Sequence, residues 1–217
     1  MTVPAKPKIY HILHVGNLPS IIIDGALWPD STMVERLGAT VIGNNEIKAD
    51  RLHLPVDCHP GTYVGDYVPF YLCPRSVMLY VISRGNHPNV SFREGQGSVI
   101  HLVADMEEVV TWAQSKQRNW AVTDINAANR AADFYENLDS LDKLDWTAIA
   151  AKNWRSCRDH KMAEFLLHQG FPWHLIERIG YLNRSISPTC EVLASITDAL
   201  RGSAHRPVVE QRNDWYY

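Results

Sequence analysis

The apolar segments of this 217-residue sequence are short and are separated by turn-forming residues. LPSIII at 18–23 and VMLYVIS at 77–83 fall far below the roughly 20 consecutive apolar residues that a bilayer-spanning helix needs. Patterns typical of strands and of helices alternate along the chain, and no internal repeat is present. Nothing indicates a second independent core, so the sequence predicts one α+β domain over residues 1–217.

Several segments have residue patterns that predict strands or helices. KIYHILH at 8–14 mixes β-branched, aromatic and polar residues as strands do, and the following NLPSIIIDGAL is typical of a short helix that ends at Gly25. The strand SVIHLVA at 98–104 leads into a helix whose start is marked by Asp105 and Glu108 at capping-box spacing. Further predicted elements are a strand in NWAVTD, a helix in LDKLDWTAIAAKNW, a strand or helical turn in MAEFLLH, a helix running into a strand in PWHLIERIGYL, and a closing amphipathic helix that stops at Gly202.

Two regions lack a regular pattern. Residues 28–60 contain scattered glycines, asparagines and charges, which predicts a long, partly ordered loop that includes Arg51. From about residue 203 to residue 217 we expect a polar, mobile tail.

Composition and net charge argue against a strongly basic nucleic-acid-binding protein and against a secreted, disulfide-bonded protein. A formal net charge of -3 provides no bulk attraction to nucleic acid, so any phosphate contact requires a local basic patch. Seven Trp and nine Tyr exceed the usual needs of packing, and we expect some of these rings to contact ligands. The four cysteines form no CxxC pair, and the first residues lack the continuous apolar core of a signal peptide. We therefore expect reduced thiols and a soluble, cytoplasmic protein.

Common cofactor and nucleophile motifs are absent from the sequence. It contains no GxGxxG, no GxxxxGKS/T and no GxSxG, so a Rossmann site, a P-loop and a nucleophile elbow lack their marks. His11 and His14 are three residues apart on a predicted strand, which points them to opposite faces, and His53 and His59 are isolated. We expect no metal. A metal-dependent hydrolase built on these four histidines is the alternative, and it predicts bound zinc.

Two charged residues are candidates for chemistry. Glu164 lies among apolar residues in KMAEFLLH, where a carboxylate either faces solvent from an amphipathic element or lines a cleft. Arg51, by its sequence alone, is one of many loop cations. Spacing and composition leave these possibilities open.

Three segments, in this order, closely resemble the DarT family of DNA ADP-ribosyltransferase toxins: YHILHVGNLPSIIIDGAL, YVPFYLCPRSVMLYVI and MAEFLLH. The resemblance covers nearly the whole chain, including TDINAANR, FYENLDSLDKLDWTAI and NWRSC. Two positions depart from the family pattern. Val77 replaces the proline often found after PRS, which can alter the substrate loop, and Leu13 replaces a small hydroxyl residue, which can remove a contact to the cofactor.

The resemblance implies an ADP-ribosyltransferase-like split β-sandwich with flanking helices, in which NAD+ lies bent in a cleft and loses its nicotinamide to a nucleophile. It implies that Glu164 is catalytic, holding the ribose and accepting a proton from the attacking base nitrogen. It also implies that Arg51 neutralises the diphosphate and assists catalysis. The residues implied to bind NAD+ are His11, Leu13, Asn17, Ser20 and Arg51. For Asn17 and Ser20, helix capping explains the residue type equally well.

The segment YVPFYLCPRSVMLY, at 67–80, resembles the family element that receives a base of single-stranded DNA. Aromatic faces stack on bases, and a guanidinium can contact phosphate or a base edge. Phe70 and Leu79 are expected to lie in the core instead. Arg158 and Lys161 could guide the DNA backbone or form a solvated surface. The residues implied to bind DNA are Tyr71, Arg75, Met78, Asn126 and Arg155.

The favoured function is that of a toxin that transfers ADP-ribose from NAD+ to a base in single-stranded DNA, with thymine preferred, and thereby blocks replication. Guanine in DNA, RNA or a protein are alternative acceptors. A non-catalytic nucleic-acid-binding module of the same fold is a further alternative, but the presence of both Arg51 and Glu164 argues against it. The implied partner is a DarG-like macrodomain antitoxin, and we expect the toxin to be a monomer.

Overall fold

The chain folds around one mixed β-sheet. The computed structural model describes residues 2–34, 36, 38–183 and 188–217. Its strands are β1 (Lys8–His14), β2 (Ala26–Leu27), β3 (Tyr67–Tyr71), β4 (Val99–Asp105), β5 (Trp120–Thr123), β6 (Phe134–Tyr135), β7 (Glu164–His168), β8 (Phe171–Pro172), β9 (Arg178–Tyr181) and β10 (Val208–Gln211). Its α-helices are α1 (Leu18–Asp24), α2 (Asp30–Met33), α3 (Asn45–Arg51), α4 (Val77–Arg84), α5 (Met106–Ser115), α6 (Trp146–Ala150), α7 (Arg158–Lys161) and α8 (Pro188–Leu200). The predicted α+β class is confirmed.

The large sheet consists of two halves that meet at one point. Its eight strands follow the order β10-β9-β4-β1-β3-β7-β5-β6, while β2 pairs separately with β8. β1 aligns with β4 along its whole length, whereas β1 and β3 align at a single residue pair, Tyr10 with Tyr71. We call this junction between β1 and β3 the split.

Alternate residues of the central strands enter two different cores. Ile9 and Leu13 of β1 belong to the main core, and Ile12 between them belongs to a second core. On β4, Ile100 packs in the main core and Val99 in the second. Because successive strand residues point to opposite faces, both faces of these strands are buried. This explains why β4 is buried along its entire length.

Helices α1 and α5 follow the signals in the sequence. Pro19 occupies the first turn of α1, and Gly25 ends the helix with φ 69°, a left-handed conformation that favours glycine. The Asp105 carboxylate caps α5 by accepting from the backbone N–H groups of Glu107 and Glu108 at 3.0 and 3.2 Å. Over the ranges that the structure describes, no helix combines the length and apolar character needed to cross a bilayer.

The long loop expected at residues 28–60 is interrupted by α2 and α3, so that prediction is wrong in part. The Asn44 side chain caps α3 by accepting from the backbone N–H groups of Glu46 and Ile47 at 2.9 and 3.3 Å. Arg51 is the last residue of α3 rather than a loop residue. The capping residue is visible in the sequence, but a helix this short shows too few apolar positions for a helical period to stand out.

Two other predicted helices are shorter than expected. In LDKLDWTAIAAKNW the α-helix is limited to α6, and a 3-10 helix at Leu138–Lys143 precedes it. In PWHLIERIGYL a single 3-10 turn, Trp173–Leu175, leads into β9.

Residues 203–217 do not form a mobile tail, so this prediction is wrong. β10 lies at the edge of the large sheet and runs parallel to β9. Trp215 and Tyr216 are each 5% exposed and belong to the second core. The Trp215 ring packs edge-on against Tyr10 and His101, with centroids 5.5 and 5.4 Å apart. Most residues of this segment are polar, which led to the prediction of a mobile tail. The sequence did not show that its aromatic residues pack against residues far away in the chain.

Trp215 also lies directly against Gly180 of β9, where a Cβ atom would clash with its ring. Gly180→Ala should therefore displace the ring and lower the free energy of unfolding by roughly 1–3 kcal/mol, measured by urea denaturation. Gly202→Ala is the matched control, since a Cβ atom there meets no atom within 4 Å. Equal stability of the two variants would contradict this packing.

Candidate active site at the split of the sheet

A buried ion pair lies next to the point where the two halves of the sheet meet. Glu164, the first residue of β7, aligns with Tyr71, the residue of β3 that forms the split. Arg51 donates from Nη1 to Oε2 of Glu164 at 3.0 Å and lies 3.4 Å from Oε1. Glu164 is 2% exposed and Arg51 is 4% exposed. The structure thus brings together the two residues that the family resemblance implied to be catalytic.

Two further side chains position Glu164. Asn126 donates from Nδ2 to Oε1 of Glu164 at 3.1 Å, and its Oδ1 accepts from the backbone N–H of Ala128 at 2.9 Å. The second bond fixes the orientation of the amide group. Thr123 accepts at Oγ1 from the backbone N–H of Glu164 at 3.1 Å. The carboxylate is therefore held at both its backbone and its side chain, which preorganises the site.

Arg51 has hydrogen-bond donors that are not in use. Its Nε and Nη2 atoms are buried and have no hydrogen-bond partner among the residues that the structure describes. Burial disfavours the charge, but attraction to Glu164 and Asp30 outweighs this effect and raises the pKa of Arg51 above its ordinary value. A charged guanidinium with free N–H groups can grip the oxygens of an anionic ligand.

A small cavity borders the ion pair. Its volume is about 160 Å³, which is less than the roughly 300–1,000 Å³ of typical ligand pockets. Lys48 of α3 and Asp30 of α2 both line it and form a salt bridge of 2.8 Å. The other charged or polar lining residues are Asn44, Arg51, Tyr71, His87, Asn126, Arg158 and Glu164, and the apolar ones include Ile47, Pro69, Val77, Met78, Val81, Val90 and Met162.

Size alone would favour another location. A groove of about 950 Å³ lies between α1 and α8, but it contains none of the residues that the family resemblance implied to be catalytic or ligand-binding. The smaller cavity contains the buried pair of Arg51 and Glu164 and the unused donors of Arg51, so we assign the candidate site to this cavity.

His11 and Tyr71 flank the site with neutral polar groups. His11 lies beside the cavity residue Pro69, with Nδ1 2.7 Å from the Pro69 carbonyl oxygen, and burial lowers its pKa. The neutral imidazole therefore donates from Nδ1 to that carbonyl. Burial, reinforced by the charge of Glu164, raises the pKa of Tyr71 well above its ordinary value. The Tyr71 hydroxyl therefore keeps its proton and can donate a hydrogen bond.

The structure does not bring the other three residues predicted to bind NAD+ to the cavity. Leu13 is 4% exposed and packs in the main core. Asn17 forms no capping bond but joins Thr40 through two hydrogen bonds of 2.8 and 2.9 Å. Ser20 donates to the Asn17 carbonyl at 2.9 Å within the first turn of α1. These contacts follow from core packing and loop attachment, which the sequence pattern did not reveal.

Three of the residues predicted to bind DNA lie at the cavity. Tyr71 and Met78 line it, as does Asn126. The Asn126 amide is also bonded to Glu164, so the structure gives it a role in positioning that carboxylate.

The basic residues predicted to contact DNA do not all lie at the cavity. The Arg75 guanidinium lies 4.3 Å from the centroid of the Tyr217 ring and is not part of the cavity lining. Arg155 is exposed and outside the lining, whereas Arg158 belongs to it. Lys161 is buried and donates from Nζ to a backbone carbonyl of α6, so it forms neither a solvated surface nor a guide for DNA.

Sequence reasoning missed Asp30, Lys48 and Thr123. Asp30 and Thr123 carry no recognisable pattern of their own. Lys48 could have been found if the Asn44 cap had been used to predict α3, because residues three apart on a helix share a face and Lys48 would then accompany Arg51.

The four histidines of the metal-hydrolase alternative do not converge. His11, His14 and His59 each contact a different backbone group, and His53 is exposed. Among the described residues, one group of three possible metal ligands has its ligand atoms within 4.8 Å of one another: Cys58, His59 and Glu136. This group lies outside the cavity. The expected absence of a metal stays a prediction.

A split sheet with a buried arginine–glutamate pair beside a polar cavity defines a site of the ADP-ribosyltransferase type. A family model described as "ssDNA thymidine ADP-ribosyltransferase, DarT" matches residues 10–217. The chain belongs to this family. The predicted family and enzyme class are therefore confirmed.

Similar proteins cover the whole chain. A protein of Thermus aquaticus named "DNA ADP-ribosyl transferase" is 36% identical over 215 residues, which is 99% of this chain and 90% of that protein. The structure of Thermus sp. 2.9 DarT in complex with ADP-ribosylated ssDNA has a TM-score of 0.86 and 34% identity, covering 100% of this chain and 99% of that one. The same protein in complex with NAD+ has a TM-score of 0.79 and 33% identity, with 100% of both chains covered. The predicted fold is confirmed.

Asn126→Asp should slow ADP-ribose transfer, because it replaces the N–H donor beside Oε1 of Glu164 with a second carboxylate. Loss of a hydrogen bond to a charged group predicts roughly a tenfold to hundredfold lower initial rate. Asn129→Asp is the matched control: Asn129 is exposed, and its Oδ1 accepts from the backbone N–H of Ala131 at 3.0 Å, as a carboxylate also can. A rate for Asn126→Asp equal to that of the control would mean that Asn126 does not position Glu164.

Proposed function

We propose that this protein transfers the ADP-ribose group of NAD+ to a thymine base in single-stranded DNA and releases nicotinamide. The observation that carries the proposal is the buried pair of Arg51 and Glu164 beside the cavity, in a chain of the DarT family. Thymidine in ssDNA is the substrate that the family description names. The complex of a solved relative with ADP-ribosylated ssDNA supports single-stranded DNA as the acceptor.

NAD+ as the co-substrate is confirmed by the solved complexes of Thermus sp. 2.9 DarT with NAD+ and with carba-NAD+. In this chain, the unused donors of Arg51 suit the oxygens of the diphosphate. A cavity of about 160 Å³ is too small for a whole dinucleotide. NAD+ therefore either extends beyond this cavity or requires the elements that line it to move apart.

Glu164 supplies the charge that the reaction needs. The bond between the nicotinamide nitrogen and ribose C1 breaks, its electron pair leaves with nicotinamide, and the sugar passes through an oxocarbenium-like state. A carboxylate beside the ribose stabilises that positive charge. The base nitrogen then bonds to C1, and its proton goes to Glu164. Asn126 and Arg51 hold the carboxylate in its orientation until then.

The cavity favours an unpaired base. Tyr71 and Met78 offer an aromatic face and a polarisable side chain beside Glu164, and base stacking of this kind does not require sequence readout. A base in a duplex must first be extruded at a cost of a few kcal/mol. A net charge of -3 gives little nonspecific attraction to duplex DNA with which to offset that cost.

The biological role follows from the chemistry and rests on the family. Bulky modification of template bases blocks replication, which makes the protein a toxin, and a DarG-like macrodomain antitoxin is the corresponding partner. A cytoplasmic location and a monomeric state belong to the same proposal. Guanine or RNA as the acceptor is a competing outcome of the experiment below.

The test is incubation of the purified protein with labelled NAD+ and matched oligonucleotides, followed by mass spectrometry of the modified nucleotide. A thymine-containing single strand should be labelled. The same strand annealed to its complement, the same strand with every thymine replaced by cytosine, and the RNA version should not be labelled. Labelled guanine or RNA would overturn the proposed acceptor, and an unlabelled single strand would overturn the function.

Glu164→Gln should abolish labelling, since it keeps the side-chain volume and removes the negative charge from the ribose site. We expect a loss of about a hundredfold or more in rate. Glu107→Gln is the control, because Glu107 is exposed on α5 and far along the chain from the site elements. Melting curves should show that both variants are folded. Labelling by Glu164→Gln at the rate of the control would remove Glu164 from the mechanism.

A further inference from the structure

The turn at residues 73–76, between β3 and α4, is held by residues from distant parts of the chain. His101 donates from Nε2 to the Pro74 carbonyl at 2.9 Å, and the Tyr217 hydroxyl donates to the Arg75 carbonyl at 3.0 Å. Burial lowers the pKa of His101 to about 4, so the ring is neutral and carries its proton on Nε2. The backbone of the turn is therefore fixed at two consecutive residues.

Tyr217 also supports the side chain of Arg75. The guanidinium carbon lies 4.3 Å from the centroid of the Tyr217 ring, which is a cation–π contact. The Nε atom of Arg75 is buried and has no hydrogen-bond partner within the described part of the chain. Stacking on the ring restricts the direction of the guanidinium.

Tyr217 is itself held in place by an aromatic platform, by which we mean Tyr80, Trp154 and Tyr217. Trp154 donates from Nε1 to the Tyr217 hydroxyl at 3.1 Å. The Tyr80 ring packs edge-on against Tyr217 and Trp154, with centroids 5.2 and 5.3 Å away. The backbone N–H of Tyr217 donates to Gln96 Oε1 at 3.1 Å. The platform thus has contacts on several sides, which suits a rigid support.

The residue that carries this charge is close in sequence to two residues of the cavity. Arg75 is two residues before Val77 and three before Met78, and both of these line the cavity beside Glu164. An acidic partner would neutralise the guanidinium, whereas an aromatic face orients it and keeps it available for a phosphate or a base edge.

We propose that Tyr217 is a positioning residue for DNA: it orients Arg75 in the turn between β3 and α4, and it strengthens the binding of single-stranded DNA without contacting the DNA itself. The inference rests on the proposed function and names the part of the fold that prepares the DNA contact. It also gives Tyr217 a role beyond packing.

The experiment compares Tyr217→Leu, which keeps apolar volume but removes the aromatic face and the hydroxyl, with Tyr217→Phe, which removes the hydroxyl alone. Fluorescence anisotropy gives the affinity for a thymine-containing single strand, and initial rates give KM for DNA and for NAD+. Loss of a cation–π contact and a hydrogen bond predicts about tenfold weaker DNA binding for Tyr217→Leu and about threefold for Tyr217→Phe. KM for NAD+ should stay within about twofold of the wild-type value, since Tyr217 is not a cavity residue.

A double-mutant cycle separates positioning from general stability. In an Arg75→Ala background, Tyr217→Leu should weaken DNA binding by less than about twofold, because the side chain that it orients is gone. A full tenfold effect in that background, or a wild-type affinity for Tyr217→Leu, would overturn the inference. If Tyr217→Leu melts early, Tyr217→Phe decides, and unchanged DNA affinity in that variant overturns it. Because binding is measured directly, a wild-type protein that binds DNA but does not modify it would refute the proposed function and leave this result interpretable.

Discussion

Arg51 and Glu164 face each other in a place from which water is almost fully excluded. Transfer of two charges from water costs several kcal/mol per ion, and an apolar pair of similar size would stabilise a fold at least as well. Glu164 is well satisfied by Arg51 and Asn126, but Arg51 retains two buried donors that find no partner among the described residues. Unsatisfied buried donors destabilise the free protein. The proposed binding of NAD+ would explain them, because the oxygens of its diphosphate would satisfy both.

The split of the sheet is what leaves room for this arrangement. Pro69 has no N–H, and its carbonyl accepts from the His11 side chain, so this residue of β3 adds no backbone hydrogen bond to β1. The ladder between the two strands is limited to one residue pair. Elsewhere β1 is tied to β4 along its length and packed on both faces. One half of the sheet, in which β1 is fixed to β4, therefore carries His11. The other half carries Glu164 on β7 and Thr123 on β5, and Thr123 accepts a hydrogen bond from the backbone of Glu164.

The sequence predicted those parts of the fold that depend on local signals. The strand at 8–14, the helix that ends at Gly25 and the helix capped by Asp105 each have a recognisable period or cap. Motif resemblance found Glu164 and Arg51, whose meeting depends on residues far apart in the chain. Three-dimensional contacts decided the rest, because no local pattern shows that Asn17 will hold Thr40 or that Trp215 will pack on Gly180.

The central claim is that the buried guanidinium of Arg51 holds the diphosphate of NAD+. Isothermal titration of NAD+ into Arg51→Lys tests it most directly, because lysine keeps the charge but cannot reproduce the planar set of donors. Arg155→Lys is the control, since Arg155 is exposed and outside the cavity lining. The account predicts that NAD+ binds Arg51→Lys at least about tenfold more weakly than the wild type, with the control unchanged. Equal affinity of Arg51→Lys and the wild-type protein would contradict it.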